Sequence, residues 1–302
     1  MLSLETDKKA EEIESEGAKM TEQKTGKIKR PKSLRRRAKE SRSWQRISAV
    51  LLPLILGVII VVLWQSGALH ALFRTDTFTM PLLDKIAGIM FDIRGKLLAN
   101  TLDTVKVAML GLLIGSVLGY LVAMLAAMAP RIGKGGLAVI GAFASIPIVA
   151  LAPVLNNWTK DVSKEASIRS MVDKTLVVTL ICAADMCLNA YRGLTEIKPF
   201  SEDLMAVYAA PKRAVFLKLR LPNSVPYIFT ALKVSVPASI MTAIVSEYFA
   251  EYITGVGRQI RENIVLAQYA TAWAYIAVAC LIGIVAYAIL MIIQSIMLKR
   301  YH

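Results

Sequence analysis

The sequence is poor in the side chains from which most catalytic and metal sites are built. Its 302 residues include two histidines, His70 and His302, and three cysteines, Cys182, Cys187 and Cys280. These residues supply a zinc site or a histidine-based catalytic triad very poorly. All three cysteines fall inside apolar stretches, so we interpret them as small buried hydrophobic residues rather than disulfide partners. We therefore expect no catalytic residue and no bound metal.

The motifs of several enzyme classes are also missing. No G-x-x-x-x-G-K-[ST] segment occurs, so the chain has no evident phosphate-binding loop for ATP of its own. Neither G-x-S-x-G nor H-E-x-x-H is present, which makes a membrane-embedded hydrolase a weak alternative. The sequence therefore favours a role in binding, transport or membrane structure over catalysis.

The composition excludes an ordinary soluble domain. Hydrophobic residues make up 56% of the chain, and the mean hydropathy is +0.54. These values are typical of an integral membrane protein. The net charge of +14 raises the alternative of nucleic-acid binding. Basic cytoplasmic segments are the usual cause of such a charge in a membrane protein, so we expect no nucleic-acid partner.

Long apolar segments predict an all-α membrane domain with about six transmembrane helices. Each segment is close to the twenty residues that an α-helix needs to cross a bilayer. The fourth is the shortest and contains Asp185. The predicted spans lie within 47–73, 107–130, 135–159, 175–191, 227–249 and 263–298.

Charge placement predicts the orientation and the domain organisation. Residues 1–46 carry 14 lysines and arginines and no hydrophobic period, which predicts a disordered cytoplasmic tail that contacts anionic membrane lipids. Residues 47–302 form the predicted transmembrane domain, with a cytoplasmic loop at 192–222. Both termini are then cytoplasmic. Without the tail the two sides carry ten basic residues each, so the tail decides this orientation.

The loop at 192–222 has the features of two short helices joined by a sharp turn. Ser201 is a favourable N-cap, and Pro211 prevents a first helix from continuing beyond Ala209. Pro211 in turn suits the start of a second helix, which we expect Pro222 and Pro226 to end before the next span. Such a segment is either an interaction element or an amphipathic helix on lipid. The first helix would expose an apolar stripe of Leu204, Val207 and Tyr208.

Two patterns inside the spans bear on packing and transport. Gly111, Gly115 and Gly119 lie four residues apart, which predicts close packing of the second span against another helix. Ionisable and hydroxyl side chains in the fourth and fifth spans are costly in lipid and face either protein or a water-filled path. The structural alternative for Lys233 and Glu247, near opposite ends of the fifth span, is that they snorkel to the two membrane surfaces. The candidate path residues are Asp185, Pro237, Ser239, Thr242, Ser246 and Glu247.

The loop also resembles a family pattern. Leu219-Arg220-Leu221-Pro222, with Ala209 thirteen residues before the proline, is similar to the "EAA" loop of permease subunits of binding-protein-dependent ABC importers. That pattern is Glu-Ala-Ala, three residues, Gly, nine residues, then Ile-x-Leu-Pro. Asp203 stands at the Glu position, Met205 at the second Ala and Ala209 at the Gly. The spacing and the Leu-Pro end are kept, whereas the Gly and both alanines are not.

Three further segments resemble the nitrate, sulfonate, taurine and pyrimidine-precursor branch of this family. "LNAYRGL" at 188–194 resembles the segment that closes the fourth span. "LRLPNSVPYIFTALKVSV" at 219–236 is similar to the lead into the fifth, and "SEYFAEYITGVGRQI" at 246–260 to its exit. The resemblance covers roughly residues 95–300, and both the basic tail and the long polar segment 156–174 depart from the family.

The resemblance implies a type I ABC importer permease fold and a mechanism. Two such permeases, identical or different, would work with two separate ATPase subunits and a binding protein outside the cell membrane. ATP and magnesium would be used by the ATPases, and this chain would bind no cofactor. The solute would be a small polar compound such as a sulfonate, nitrate or a pyrimidine-type heterocycle. The residues implied in coupling to the ATPase are Asp203, Leu204, Val207, Tyr208, Ala209, Pro211, Lys212, Arg213, Leu221 and Pro222.

Two other functions remain open from the residues alone. An ion-gradient-driven secondary transporter could use Asp185 and Glu247 as a proton relay, although the sequence has no obvious inverted repeat. A purely structural membrane adaptor is the other alternative. Co-purification of an ATPase and a binding protein would separate the importer from both.

Overall fold

The computed structural model describes residues 42–250 and 252–299. Within these ranges the backbone forms twelve α-helices and one π-helical turn, and no strand occurs there. The predicted disordered tail at 1–46 lies outside the described residues except for its last five residues, which belong to the first helix. Of the two histidines, His302 is also outside the description, whereas His70 is buried beside the carbonyl oxygen of Met80 at 2.6 Å.

The helices follow one another closely, with few long connections. We number them in chain order. Their bounds are α1 Arg42–Gln65, α2 Ala68–Phe73, α3 Leu83–Asp92, α4 Arg94–Met128, α5 Pro130–Ala144, α6 Ile148–Trp158, α7 Ala166–Thr195, α8 Ser201–Val207, α9 Lys212–Val215, α10 Leu221–Phe249, α11 Val256–Val265 and α12 Tyr269–Leu298, with the π-helical turn Phe216–Arg220 between α9 and α10.

Internal contacts divide the chain into two units after Leu63. The described part of the first unit is helix from residue 42 to residue 63, and its apolar side chains from Leu51 onward are exposed. In the second unit, Trp64 packs edge-to-face on Trp273 at the start of α12, with ring centroids 5.0 Å apart. Its indole N–H donates to the carbonyl of Pro81 at 3.0 Å.

The core of the second unit is a layer of three long helices, α4, α7 and α10. The glycine row of α4 lies against α7, as predicted. A Cβ atom on Gly111 would meet Val178, one on Gly115 would meet Cys182 at 2.9 Å, and one on Gly119 would meet the backbone of Ala183. The absence of side chains on this face lets the two backbones approach, so dispersion contacts replace the hydrophobic effect that is lacking in lipid.

Among the described residues, three helical segments are long and apolar enough to cross a membrane by length and composition: Arg94–Met128, Lys212–Phe249 and Tyr269–Leu298. They correspond to the predicted second, fifth and sixth spans. The apolar parts of α1, Leu51–Gln65, and α6, Ile148–Trp158, are shorter. Helix α7 contains the predicted fourth span but extends beyond it at both ends, to Ala166 and Thr195. The all-helical class is therefore confirmed.

Two expectations from the sequence were wrong, one on the third span and one on the burial of Cys280. The predicted third span at 135–159 is interrupted, because Pro147 caps α6 in an extended conformation and α5 has already ended at Ala144. Helix α12 lies within the predicted range of the sixth span, and Ala267, in a left-handed conformation, separates it from α11. Cys280 is exposed on α12, whereas Cys182 and Cys187 are buried as expected. An apolar residue on this helix needs no protein cover if lipid surrounds it.

Candidate functional site

Helix α8 presents an apolar face that nothing in the described part of the chain covers. Leu204, Val207 and Tyr208 lie at helical spacing and are 59%, 81% and 76% exposed. Asp203 is exposed as well and lies in the first turn, where a carboxylate interacts favourably with the helix dipole. Large exposed apolar side chains on so short a helix are typical of a docking surface. We refer to Leu204, Val207 and Tyr208 as the apolar stripe.

The end of α8 is a Schellman motif with alanine in the place of glycine. The N–H of Ala209 donates to the carbonyl of Ala206 at 2.9 Å, and that of Ala210 to the carbonyl of Met205 at 3.0 Å. Both bonds require a left-handed residue between them, and Ala209 has φ +49°. Ala209 stands where the family pattern has glycine. The backbone conformation is therefore kept although the residue is not.

The segment after this turn differs from the predicted one. We expected a second helix that Pro222 and Pro226 would end, but α9, the π-helical turn and α10 form one continuous helical segment, Lys212–Phe249. Pro222 is the second residue of α10 and closely follows the π-helical turn, so its missing N–H falls where the α-helical bonding pattern is already interrupted. Pro226 removes one further backbone bond inside α10, next to the buried residues Ser224 and Phe229. The loop therefore joins the membrane helix without a break.

Two contacts tie the loop to the helical layer. Glu202 of α8 accepts hydrogen bonds from the guanidinium of Arg220, at 2.7 and 3.2 Å. The amide of Asn223 donates to the carbonyls of Gly193 and Glu196, at 2.8 and 3.1 Å, and so satisfies free carbonyls at the C-terminal end of α7.

Gly193 allows the close approach on which this capping depends. A Cβ atom there would lie 2.7 Å from Cβ of Tyr227 and 2.9 Å from Cα of Ser224. The two segments that resemble the family on either side of the loop, 188–194 and 219–236, therefore meet here. The remaining residues implied in coupling lie near the turn, with Pro211, Lys212, Arg213 and Pro222 exposed and Leu221 half-buried.

The candidate path residues lie along α7 and α10. Ser235 donates to a carboxylate oxygen of Asp185 at 3.4 Å. The hydroxyls of Ser239 and Ser246 donate to the carbonyls of Val236 and Ala243 in their own helix. Thr242 is buried and Pro237 is exposed. Their role in a translocation path stays a prediction.

Glu247 lies in a buried network that the sequence did not predict. One of its carboxylate oxygens accepts hydrogen bonds from the N–H of Gly257 and the hydroxyl of Thr104, both at 2.9 Å. The hydroxyl of Thr104 in turn accepts the N–H of Val256 at 2.9 Å. We refer to Glu247, Thr104 and Gly257 as the Glu247 clasp. It joins the end of α10 to the start of α11 and to α4.

Neighbouring groups extend this network. Asn100 accepts the N–H of Gly255 at 3.0 Å, and the ammonium of Lys174 lies 3.3 Å from the carbonyl oxygen of Thr254. Asp173 is buried beside Lys174. The acid and the Gly-x-Gly pattern were visible in the sequence, whereas Asn100, Thr104 and Lys174 carried no signal because their partners lie 80 to 155 positions away.

Comparisons with known proteins agree with these features. A family model described as "Binding-protein-dependent transport system inner membrane component" matches residues 115–302. The formylaminopyrimidine transport permease protein ThiX of Halalkalibacterium halodurans is 25% identical over 258 residues, which are 85% of this chain and 97% of that protein. A probable ABC transporter permease protein of Haemophilus influenzae is 25% identical over 199 residues, 66% of this chain and 77% of that protein.

A solved structure is also similar. It is the MetNI methionine ABC transporter in an inward-facing conformation, with a TM-score of 0.48 and 16% sequence identity. The match covers 68% of this chain and 97% of the matched chain.

Proposed function

This chain belongs to the family of binding-protein-dependent transport system inner membrane components, and from that premise we propose that it forms the translocation path of an ATP-driven importer. It is a multi-pass membrane permease of an ABC transporter and not an enzyme. ATP and magnesium would be bound by separate ATPase subunits, two per transporter. A second permease, identical or different, and a binding protein outside the membrane would complete the assembly.

The observation that carries this proposal is the uncovered apolar stripe on α8. The stripe lies on a helix that Glu202 ties to Arg220, at the start of the segment that continues to Phe249. A groove of an ATPase seated on the stripe would therefore push on a membrane helix through a direct connection. Burial of exposed aromatic and aliphatic anchors is what stabilises such helix-in-groove contacts.

The orientation follows from the same assignment. An ATPase is cytoplasmic, so the loop at 192–222 and both termini would lie on the cytoplasmic side of the cell membrane. The excess of basic residues in the N-terminal tail supports this orientation. The Glu247 clasp would then lie near the opposite surface, because α10 runs from the loop to Phe249.

We propose a pyrimidine-type heterocycle as the first solute class to test. The support is the formylaminopyrimidine permease, which is similar along 85% of this chain. Sulfonate and nitrate are the other members of the class that the sequence resemblance implied. A binding protein would set most of the selectivity.

Substitutions that place charged residues in the apolar stripe test the proposal. We expect the double variant Leu204→Glu, Tyr208→Glu to weaken ATPase binding by about thirtyfold or more, since loss of even one anchor of this kind costs about 2 kcal/mol or more. Uptake of solute into vesicles that contain the complete transporter should be lost with it. The measurement is ATPase retained by the affinity-purified chain, followed by uptake with and without ATP.

Matched variants control for folding and for charge. Tyr208→Phe keeps the aromatic surface, and Lys198→Gln changes a charge in the same loop outside the stripe, so both should retain the ATPase. Full ATPase retention in the double Glu variant would rule out the assignment. Uptake driven by an ion gradient without any ATPase would instead favour the secondary transporter that uses Asp185 and Glu247.

A further inference from the structure

A large cavity lies between α8 and the helical layer. Its volume is about 790 Å³, within the range of about 300–1,000 Å³ that is usual for small-molecule sites. Most of its wall is apolar and comes from the end of α4 and from the segment after the turn. These side chains are Met124, Met128, Val215, Phe216 and Leu217. We refer to this space as the loop cavity.

The loop cavity and the apolar stripe are on opposite faces of α8. Glu202 and Ala206, four residues apart, border the cavity, whereas Leu204 and Tyr208 belong to the stripe. A shift of two positions rotates a side chain by about 200° around an α-helix. A partner that seats on the stripe therefore leaves the cavity unfilled.

The polar part of the cavity wall is basic. Lys212, Arg213 and Arg220 border it together with a single carboxylate, that of Glu202. The carboxylate is paired with Arg220, at 2.7 Å. Lys212 and Arg213 thus remain as an excess of positive charge beside an apolar wall. This combination is complementary to an amphiphile that has an anionic head and a hydrocarbon tail.

We propose that the loop cavity binds an anionic phospholipid of the cytoplasmic leaflet. The phosphate contacts Lys212 and Arg213, and the first part of an acyl chain packs on Met124, Met128 and Leu217. The inference rests on the proposed orientation, which places the end of α4 at the cytoplasmic membrane surface and which the basic N-terminal tail supports without reference to the ATPase. A lipid held there would fill the space behind α8 and support the helix against a load on the stripe.

Lipid binding to the purified, delipidated full-length chain tests this site directly. Phosphatidylglycerol and phosphatidylcholine with the same acyl chains are titrated, and bound lipid is counted by native mass spectrometry. We expect the tightest phosphatidylglycerol site to weaken by about fivefold for each of Lys212→Gln and Arg213→Gln, because one basic residue near an anionic lipid contributes about that much. Phosphatidylcholine should bind more weakly and respond to neither change.

Two further variants separate this site from general charge effects. Lys198→Gln with Lys218→Gln removes two exposed cations of the same loop that do not border the cavity, so the tightest site should be unchanged. Ala206→Trp projects a large side chain into the cavity and keeps every cation, so phosphatidylglycerol should be lost from that site. The basic tail is identical in all variants and contributes equally to each.

Other outcomes would overturn the proposal. Equal losses in the cavity and control pairs would assign lipid binding to charge in general, and equal binding of both lipids would remove the role of the cations. Displacement of the lipid by excess inorganic phosphate would indicate a free-anion site instead. A failure of the ATPase assignment is distinguishable, because the Leu204→Glu, Tyr208→Glu variant should bind phosphatidylglycerol normally.

Discussion

The two ends of the helical segment Lys212–Phe249 differ in how their side chains are used. At the loop end, the apolar stripe is exposed and α8 is held by one ion pair at the surface. At the other end, Glu247 and Thr104 are fully buried, and each makes hydrogen bonds to a different part of the chain. The same helix therefore joins an exposed apolar surface to a buried junction that is hydrogen-bonded within the chain through one carboxylate oxygen of Glu247, the other having no hydrogen-bond partner among the described residues.

This difference shows which interactions stabilise each end of the segment. Exposed apolar side chains gain stability only when another molecule covers them, at about 25 cal/mol for each Å² removed from water. The polar groups of the Glu247 clasp are already buried. One carboxylate oxygen of Glu247 is hydrogen-bonded to the Thr104 hydroxyl and the Gly257 N–H, and that hydroxyl also accepts the N–H of Val256. Loss of one partner there leaves buried groups unpaired, which costs more than loss of a surface contact. Substitutions at the clasp should therefore act on folding, and those at the stripe on assembly.

The largest effect on stability should come from Gly257→Ala. An added Cβ would collide with the carbonyl oxygen of Ile244 and lie 3.0 Å from Cβ of Glu247. Backbone must move to admit it, so we expect a loss of about 2–3 kcal/mol in the free energy of unfolding. The midpoint of thermal unfolding in detergent measures this.

Gly283→Ala on α12 is the matched control for this substitution. Nothing lies within 4 Å of a Cβ at that position inside a helix, so the substitution should cause no loss and should raise the free energy of unfolding by up to about 1 kcal/mol. Equal midpoints for the two variants would mean that α10 and α11 are not packed as closely as the structure has them.

A smaller loss should follow from Thr104→Val, which keeps the shape of the side chain. The substitution removes the donor to Glu247 and the acceptor of the Val256 N–H. Two buried groups then lose a partner, and we expect a cost of about 1–3 kcal/mol. The midpoint of thermal unfolding in detergent measures this loss. Thr104→Ser, which keeps the hydroxyl, should retain most of the original stability.

Thr230→Val serves as the comparison for that loss. Its hydroxyl is exposed and donates only to the carbonyl of Pro226 in the same helix. The expected change is below about 0.5 kcal/mol. If Thr104→Val were equally mild, the clasp would not be a source of stability, and the contrast between the two ends would fail.

The smallest effect, and one of opposite sign, should come from Ala209→Gly. A left-handed conformation costs an L-residue about 1–2 kcal/mol relative to glycine, so glycine should raise the stability of the turn by up to about that amount. Hydrogen exchange of the amides of Ala209 and Ala210 reports on the turn directly. Exchange should slow in the variant, and ATPase binding should be kept.

Ala210→Gly tests whether the gain is specific to the left-handed position. Ala210 does not have a positive φ, so glycine there should bring no gain and should slightly weaken the turn. Slower exchange in both variants would point to a change in the unfolded state instead.

Much of the architecture could be predicted, because it depends on local patterns. Hydrophobic length and turn residues gave the helical class, and the spacing of Gly111, Gly115 and Gly119 gave the packed face of α4. The apolar stripe could be predicted because Leu204, Val207 and Tyr208 lie within five residues of one another. The errors in the helix boundaries occurred at prolines, because a proline either separates two helices or lies inside one. Pro147 separates α5 from α6, whereas Pro222 and Pro226 lie inside a continuous helix. Packing decides between these outcomes.

The sequence by itself determined that this protein is a helical membrane protein and indicated the permease family, since apolar length and the loop pattern are properties of neighbouring residues. Only the tertiary structure decided that Glu247 would be held by Thr104 and Gly257, and that a basic and apolar cavity would form behind α8. Both depend on which residues meet across the long helices. A buried carboxylate is stable only where folding brings donors to it, and no local pattern specifies those donors.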